Sequence, residues 1–191
     1  MMKRSTMKYL LPILAMAVFV TAASAAVVSG LAAGTPTPSV PVLDVTGKYA
    51  GKRICYVCDF QNDPNVIAFF RDADEQTAAL IVQLDKLYRQ EKNRNFKAVA
   101  ILVPGPDAKA WLEQLRQSRN IEIPLTVFAK GPKDVGVRLY KLDPNVRNTL
   151  LVTRDRVVET NFSDIGASDF EKVQQATVSM LTKSKTSHND R

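Results

Sequence analysis

The sequence predicts one α/β domain, a three-layer sandwich with a mixed central sheet and helices on both faces. Residues 66–70 and 98–103 are apolar runs without a polar residue, which is typical of strands covered on both sides. Between them, residues 72–90 repeat apolar side chains at helical spacing, so the unit is strand, helix, parallel strand. Residues 149–160 then predict an antiparallel hairpin that closes the sheet.

The other elements follow in chain order. Expected strands are short extended pieces at 43–47 and 51–54, buried strands at 66–70, 98–103 and 125–128, and hairpin strands at 149–153 and 156–160. Expected helices lie at 72–90, with Asp72 as its cap, at 107–119, and from a capping box at 168–171 to about residue 182.

The first 25 residues have the pattern of a signal peptide. Three basic residues precede an apolar stretch at 9–20, and Ala-Ser-Ala at 23–25 provides a cleavage pattern. The body is therefore expected to be exported, into a periplasm or out of the cell. The alternative is an uncleaved anchor at 9–33, which would be the only contact with a membrane.

The predicted domain, 42–182, is flanked by two less regular segments. Residues 26–41 are rich in proline and threonine and predict an extended linker. Residues 183–191 predict a polar tail.

Composition limits the classes of function. The chain has 191 residues, of which 46% are hydrophobic and 24% charged, as in ordinary globular domains. Its net charge is +7, and three of its 26 basic residues lie in the leader. The remaining excess is spread along the chain, with no lysine or arginine block and no basic face mixed with aromatics. We therefore do not expect nucleic-acid binding.

Cys55 and Cys58 are the only cysteines. In an oxidising compartment they are expected to be paired. The Cα atoms of a disulfide lie within about 7 Å, whereas residues i and i+3 of a straight strand are about 10 Å apart. The pair must therefore form a turn. No helical pattern follows it, so no helix N-terminus is expected to activate a thiolate.

Three interpretations of this pair remain open, namely a structural disulfide, a redox-active dithiol and a metal clamp. Metal binding needs more ligands, and the single histidine, His188, lies in the tail. Covalent haem is excluded because Asp59 stands where a Cys-x-x-Cys-His motif requires histidine. No metal and no cofactor is therefore expected.

Residues 43–181 resemble the thioredoxin superfamily in its redoxin or peroxiredoxin-like branch. The resemblance lies in Gly51-Lys52, in the strand ending Ala68-Phe69-Phe70-Arg71-Asp72, and in the stretches 123–128 and 148–158. It implies a thioredoxin-like fold and thiol–disulfide exchange with a protein partner whose identity the sequence does not give. The family's reactive cysteine lies at the start of the helix after the first core strand.

Here that position, 71–77, contains no cysteine, so peroxidase chemistry is not expected. Its acidic residues, Asp72, Asp74 and Glu75, are explained by the helix dipole better than by a ligand site. Two hypotheses follow. One is an exported thiol–disulfide oxidoreductase that uses Cys55 and Cys58. The other is a non-catalytic thioredoxin-like binding module in which the same pair is a structural disulfide.

Overall fold

The computed structural model describes residues 28–186, and the predicted signal peptide and the residues after 186 lie outside this range. The strands are β1 Val42–Asp44, β2 Arg53–Ile54, β3 Asn65–Phe70, β4 Lys97–Leu102, β5 Leu125–Val127, β6 Asn148–Arg154 and β7 Val157–Ser163. The helices are α1 Tyr56–Phe60, α2 Glu75–Glu91, α3 Lys109–Arg119, α4 Val135–Leu139 and α5 Phe170–Thr186.

The strands form one mixed sheet in the order β2-β1-β5-β4-β3-β6-β7. At its centre β3 pairs in parallel with β4 and antiparallel with β6, so that Val66 lies between Ala98 and Val152. All six residues of β3 are buried. The unbroken apolar run therefore identified the central strand correctly, because a strand covered on both faces has no exposed polar positions.

Helices cover both faces of the sheet, which confirms the predicted three-layer arrangement. The long helices α2, α3 and α5 pack on one face, where Leu84, Leu112 and Val173 are completely buried. The other face carries the five-residue helices α1 and α4, together with the N-terminal segment. This second face holds the cysteine pair.

The start of helix α2 differs from the prediction by three residues. Asp74, not Asp72, is the N-cap, and its carboxylate accepts a 2.8 Å hydrogen bond from the backbone N–H of Thr77. Residues 71–74 form an irregular connection between β3 and α2. Hydrophobic periodicity locates the body of a helix, but the cap depends on backbone geometry that periodicity does not contain.

The segment predicted as a linker packs against the domain in its described part. We call residues 28–41 the N-terminal strap. Ser29 is buried, and its hydroxyl lies 2.7 Å from that of Thr149. The amide of Asn161 donates to the carbonyl oxygens of Ser29 and Leu31. The strap has little regular structure and makes a turn in which the N–H of Thr35 donates to the carbonyl oxygen of Ala32. Its residues Leu31 and Val40 are buried in the core cluster on the second face of the sheet.

The closing hairpin and the last helix are present, with shifted ends. The predicted strands leave Arg154 and Asp155 between them, whereas Asp155 and Arg156 form the two-residue turn between β6 and β7, and both have positive φ angles, 51° and 61°. Such turns match the twist of the strands they join. Helix α5 continues to Thr186, four residues beyond the predicted end. Within residues 28–186, no helix has both the length and the apolar character needed to cross a membrane.

Candidate redox site

The cysteine pair lies on α1, between edge strand β2 and central strand β3. Cys55 is the N-cap of this helix, with an extended backbone, and Cys58 lies in its first turn. The expectation that no helix follows Cys55 is therefore wrong. A five-residue helix spans little more than one turn, which is too short for an apolar period to appear.

The pair is closed as a disulfide, with the two Cα atoms 5.2 Å apart. The turn that the spacing required is present and is supplied by α1. Cys58 is exposed and Cys55 is half-buried against the core. The backbone N–H of Cys58 donates to the sulfur of Cys55 at 3.2 Å. The two cysteines therefore differ in exposure and in hydrogen bonding.

A buried carboxylate holds α1 against the edge of the sheet. Asp44 at the end of β1 is completely buried and accepts a 2.6 Å hydrogen bond from the hydroxyl of Tyr56. It also accepts from the backbone N–H groups of Gly47 and Tyr49, at 2.7 and 2.9 Å. Burial, and then the hydrogen bond to Asp44, raise the pKa of Tyr56 well above its usual value. The phenol therefore stays protonated and remains a donor.

Asp59, next to Cys58, is engaged by two other groups. The hydroxyl of Tyr49 donates to it at 2.6 Å, and the ammonium of Lys48 lies 3.1 Å from its other oxygen. The ammonium of Lys48 therefore offsets part of the repulsion that the Asp59 carboxylate exerts on a thiolate at Cys58.

The position where the resemblance places a reactive cysteine is occupied by structural interactions. Asp74 caps α2, Glu75 pairs with Arg119 at 3.0 Å, and Gln76 accepts a hydrogen bond from Arg147. Asp74, Glu75, Gln76 and Arg147 line an open cleft of about 400 Å³ that contains no sulfur. Asp74 and Glu75 lie at the N-terminus of α2, where the helix dipole favours acidic residues. The described residues contain no cluster of three or more side chains suited to hold a metal ion.

The structure joins Cys55 and Cys58 as a disulfide. The sequence singles them out as a candidate pair. It did not identify the supporting residues Asp44, Tyr49 and Tyr56. All three residues lie within positions 44–56. Nothing in their spacing indicates that Tyr49 and Tyr56 donate to the carboxylate of Asp44.

No protein-family model and no curated protein sequence matches this chain. Solved structures do. A protein assigned as a disulfide isomerase, from Bacteroides thetaiotaomicron, has a TM-score of 0.64 at 16% identity, covering 84% of this chain and 98% of its own. One assigned as the thiol:disulfide interchange protein DsbE, from Chlorobium tepidum, has a TM-score of 0.62 at 17% identity, covering 79% and 99%.

The peroxidoxin BcpB of Mycobacterium tuberculosis has a TM-score of 0.61 at 19% identity, covering 78% of this chain and 96% of its own. At such identities the likeness concerns the fold. Together with the sheet order, it shows that this chain has a thioredoxin-like α/β fold.

Proposed function

We propose that this protein is an exported thiol–disulfide oxidoreductase whose redox pair is Cys55–Cys58. The observation that carries the proposal is the asymmetry of the closed disulfide. Cys58 is an exposed residue, while Cys55 is half-buried and its sulfur accepts the backbone N–H of Cys58. Thiol–disulfide exchange needs one accessible sulfur and one that leaves as a stabilised thiolate.

The asymmetry assigns a direction to the reaction. A substrate thiolate attacks the sulfur of Cys58 and forms a mixed disulfide with it, and the Cys55–Cys58 bond breaks. The electron pair of that bond leaves on Cys55, whose thiolate is stabilised by the N–H of Cys58. A second substrate thiolate then attacks the mixed disulfide and releases Cys58 as a thiolate. The substrate dithiol is oxidised to a disulfide, and the protein pair is reduced.

Export is supported by the signal-peptide pattern at residues 1–25, which lies outside the described structure. An exported protein meets oxidising conditions, in which its cysteine pair rests as a disulfide. The resting form would then be the one that accepts electrons from substrate thiols.

Two measurements test the proposed reaction. The first is the reduction potential of the pair, from equilibration with glutathione buffers. We expect a value above about −300 mV, and turnover in an insulin-reduction assay with a supplied reductant. The second is trapping. A Cys55→Ser variant is expected to accumulate a mixed disulfide on Cys58, and Cys58→Ser, the matched control, to accumulate much less. A potential well below −300 mV with no turnover would contradict the proposal.

A second candidate function is a thioredoxin-like binding module with a structural disulfide. It is favoured by one observation, the replacement of the family's cysteine at 71–77 by capping and ion-pairing residues. In that case the Cys55→Ser/Cys58→Ser variant should lose stability, roughly 2 kcal/mol by loop entropy for so short a loop, and no exchange activity should be found in the parent. Native stability of the double variant would count against this alternative.

A further inference from the structure

A groove beside the disulfide is lined by unpaired basic side chains. We call it the basic groove; it has a volume of about 650 Å³ and lies between β2 and the segment that contains α4. Its charged lining residues are Arg53, Lys130, Lys133, Arg138, Lys141 and Asp134. The five basic residues are all exposed and come from two separate parts of the chain.

The charge of the groove is not balanced by neighbouring carboxylates. Among residues 28–186, none of the five basic side chains takes part in an ion pair, whereas Lys48 and Arg89 do. Asp134 is buried, and its oxygens already accept the backbone N–H groups of Lys130 and Gly136, at 3.2 and 3.0 Å. A concave surface with excess positive charge attracts an anionic partner.

Helix α4 adds apolar contacts to this positive surface. Val135 is 48% exposed and Leu139 is 42% exposed, and their spacing of four places them on one side of the helix. Val135 lines the groove together with Val137. No aromatic side chain lines it, so the stacking platform that single-stranded nucleic acids use is missing. Charge and apolar surface together fit an acidic polypeptide with aliphatic side chains.

The groove and the disulfide lie on the same part of the molecule. Arg53 precedes Cys55 by two residues, so their Cα atoms are at most roughly 7 Å apart. Cys55 and Val137 also pack against the same core cluster. A chain segment bound in the groove is therefore held next to the redox pair.

We propose that the basic groove binds an acidic, aliphatic-containing segment of a protein substrate and holds its sulfur atoms near Cys55–Cys58. The second half of this inference rests on the proposed oxidoreductase function, while binding in the groove does not depend on it. We infer a polypeptide because its aliphatic side chains can pack on Val135 in the groove and on Leu139, on the same side of α4. A simple polyanion would leave both residues exposed.

Binding is tested with the oxidised protein and a fluorescent 12-residue peptide of glutamate and leucine. The groove variant is Lys133→Glu/Arg138→Glu, and the matched control is Lys86→Glu/Lys109→Glu, which reverses two unpaired charges on α2 and α3. We expect the groove variant to weaken peptide binding at least tenfold and the control less than twofold. Binding by the parent protein should also weaken as salt is added, because exposed charges are screened.

Three outcomes would overturn the docking inference. The first is equal binding of the same peptide with lysine in place of glutamate. The second is no loss of affinity in the groove variant. The third is binding of a heparin oligosaccharide or a single-stranded DNA oligonucleotide as tight as that of the peptide, which would indicate a general polyanion surface.

The link to the redox pair is tested separately, with the same peptide extended by a dithiol. The groove variant should oxidise it at least tenfold more slowly than the parent at low peptide concentration, while both oxidise dithiothreitol at equal rates. If the peptide binds but neither dithiol is oxidised, the docking surface stands and the oxidoreductase function fails. If dithiothreitol is oxidised and the charge reversal does not change peptide binding or peptide oxidation, the oxidoreductase function stands and the docking surface fails.

Discussion

The hydroxyl of Tyr56 lies 2.6 Å from a carboxylate oxygen of Asp44, and this hydrogen bond joins the helix of the disulfide to the edge of the sheet. Asp44 is completely buried and also accepts hydrogen bonds from two backbone N–H groups. One carboxylate thus fixes the turn after β1 and the first residue of α1. The position of the cysteine pair depends on residues that take no part in its chemistry.

Replacing Asp44 with alanine is expected to lower the free energy of unfolding by about 3 kcal/mol. The substitution removes the acceptor of three donors, the buried hydroxyl of Tyr56 and two part-buried backbone N–H groups. Hydrogen bonds to charged groups contribute about 1.5–3 kcal/mol each before relaxation. Tyr56→Phe removes one of the three and should cost less. Urea denaturation of both variants measures this order. A cost below about 0.5 kcal/mol for Asp44→Ala would contradict the role assigned to the carboxylate.

Stability is expected to fall as the pH rises above about 10. The pKa of Tyr56 is raised in the folded protein, while an unfolded tyrosine loses its proton near pH 10. Above that pH the folded state holds a proton that the unfolded state has released, so rising pH favours unfolding by about 1.4 kcal/mol per pH unit for this group. Burial raises the pKa of Tyr140 in the same direction.

The matched control for this pH effect is Tyr56→Phe. The free energy of unfolding of this variant is measured by urea denaturation between pH 9 and 11. It should decline less steeply with pH than that of the parent, because the contribution of Tyr56 to the slope is absent. Equal slopes for the two proteins would show that Tyr56 titrates normally in the folded state.

After reduction, Cys58 is expected to react with iodoacetamide several-fold faster than Cys55. Cys58 is exposed, whereas Cys55 is half-buried and its sulfur accepts the N–H of Cys58. Peptide mass spectrometry at short reaction times distinguishes the two sites. The same experiment in denaturant should give nearly equal rates. Faster modification of Cys55 in the folded protein would reverse the proposed direction of attack.

Gly30→Ala is expected to destabilise the protein by about 1–3 kcal/mol. Gly30 has a φ of +95°, and a Cβ atom there would lie 2.6 Å from Cγ2 of Thr149. Gly34→Ala is the matched control, because Gly34 has a φ of +81° with nothing within 4 Å of an added Cβ. Its cost should be limited to the backbone term, near 1 kcal/mol. Thermal denaturation compares the two, and equal losses would mean that the strap is not docked in solution.

The sequence predicted the fold well where the chain is periodic or continuously apolar. The burial of Val66 and its neighbours in β3 follows from an apolar run, and the body of α2 follows from leucines at helical spacing. These signals come from many residues, so single exceptions do not hide them. The two strand patterns predicted the hairpin but placed its turn at Arg154 and Asp155, one residue before the observed turn at Asp155 and Arg156.

The candidate site was harder to predict because it depends on short segments and on contacts between distant residues. Helix α1 has five residues, too few for a period, and its cap is a cysteine. The strap was predicted as an extended linker because it is rich in proline and threonine. In the structure, Leu31 and Val40 are buried against the sheet. The basic groove joins Arg53 to residues 130–141, a combination that no local pattern reveals.

Strand β2 has only two residues and pairs with β1 at the outer edge of the sheet. The disulfide that follows it therefore belongs to a peripheral module, separate in the chain from the strand–helix–strand unit that forms most of the core. Substitutions among the exposed residues of the basic groove are expected to cost little folding free energy, whereas Tyr56, Val57 and Phe60 of α1 are buried and their replacement is costly. A change of this surface can thus leave the scaffold intact, while a change in the helix of the disulfide cannot.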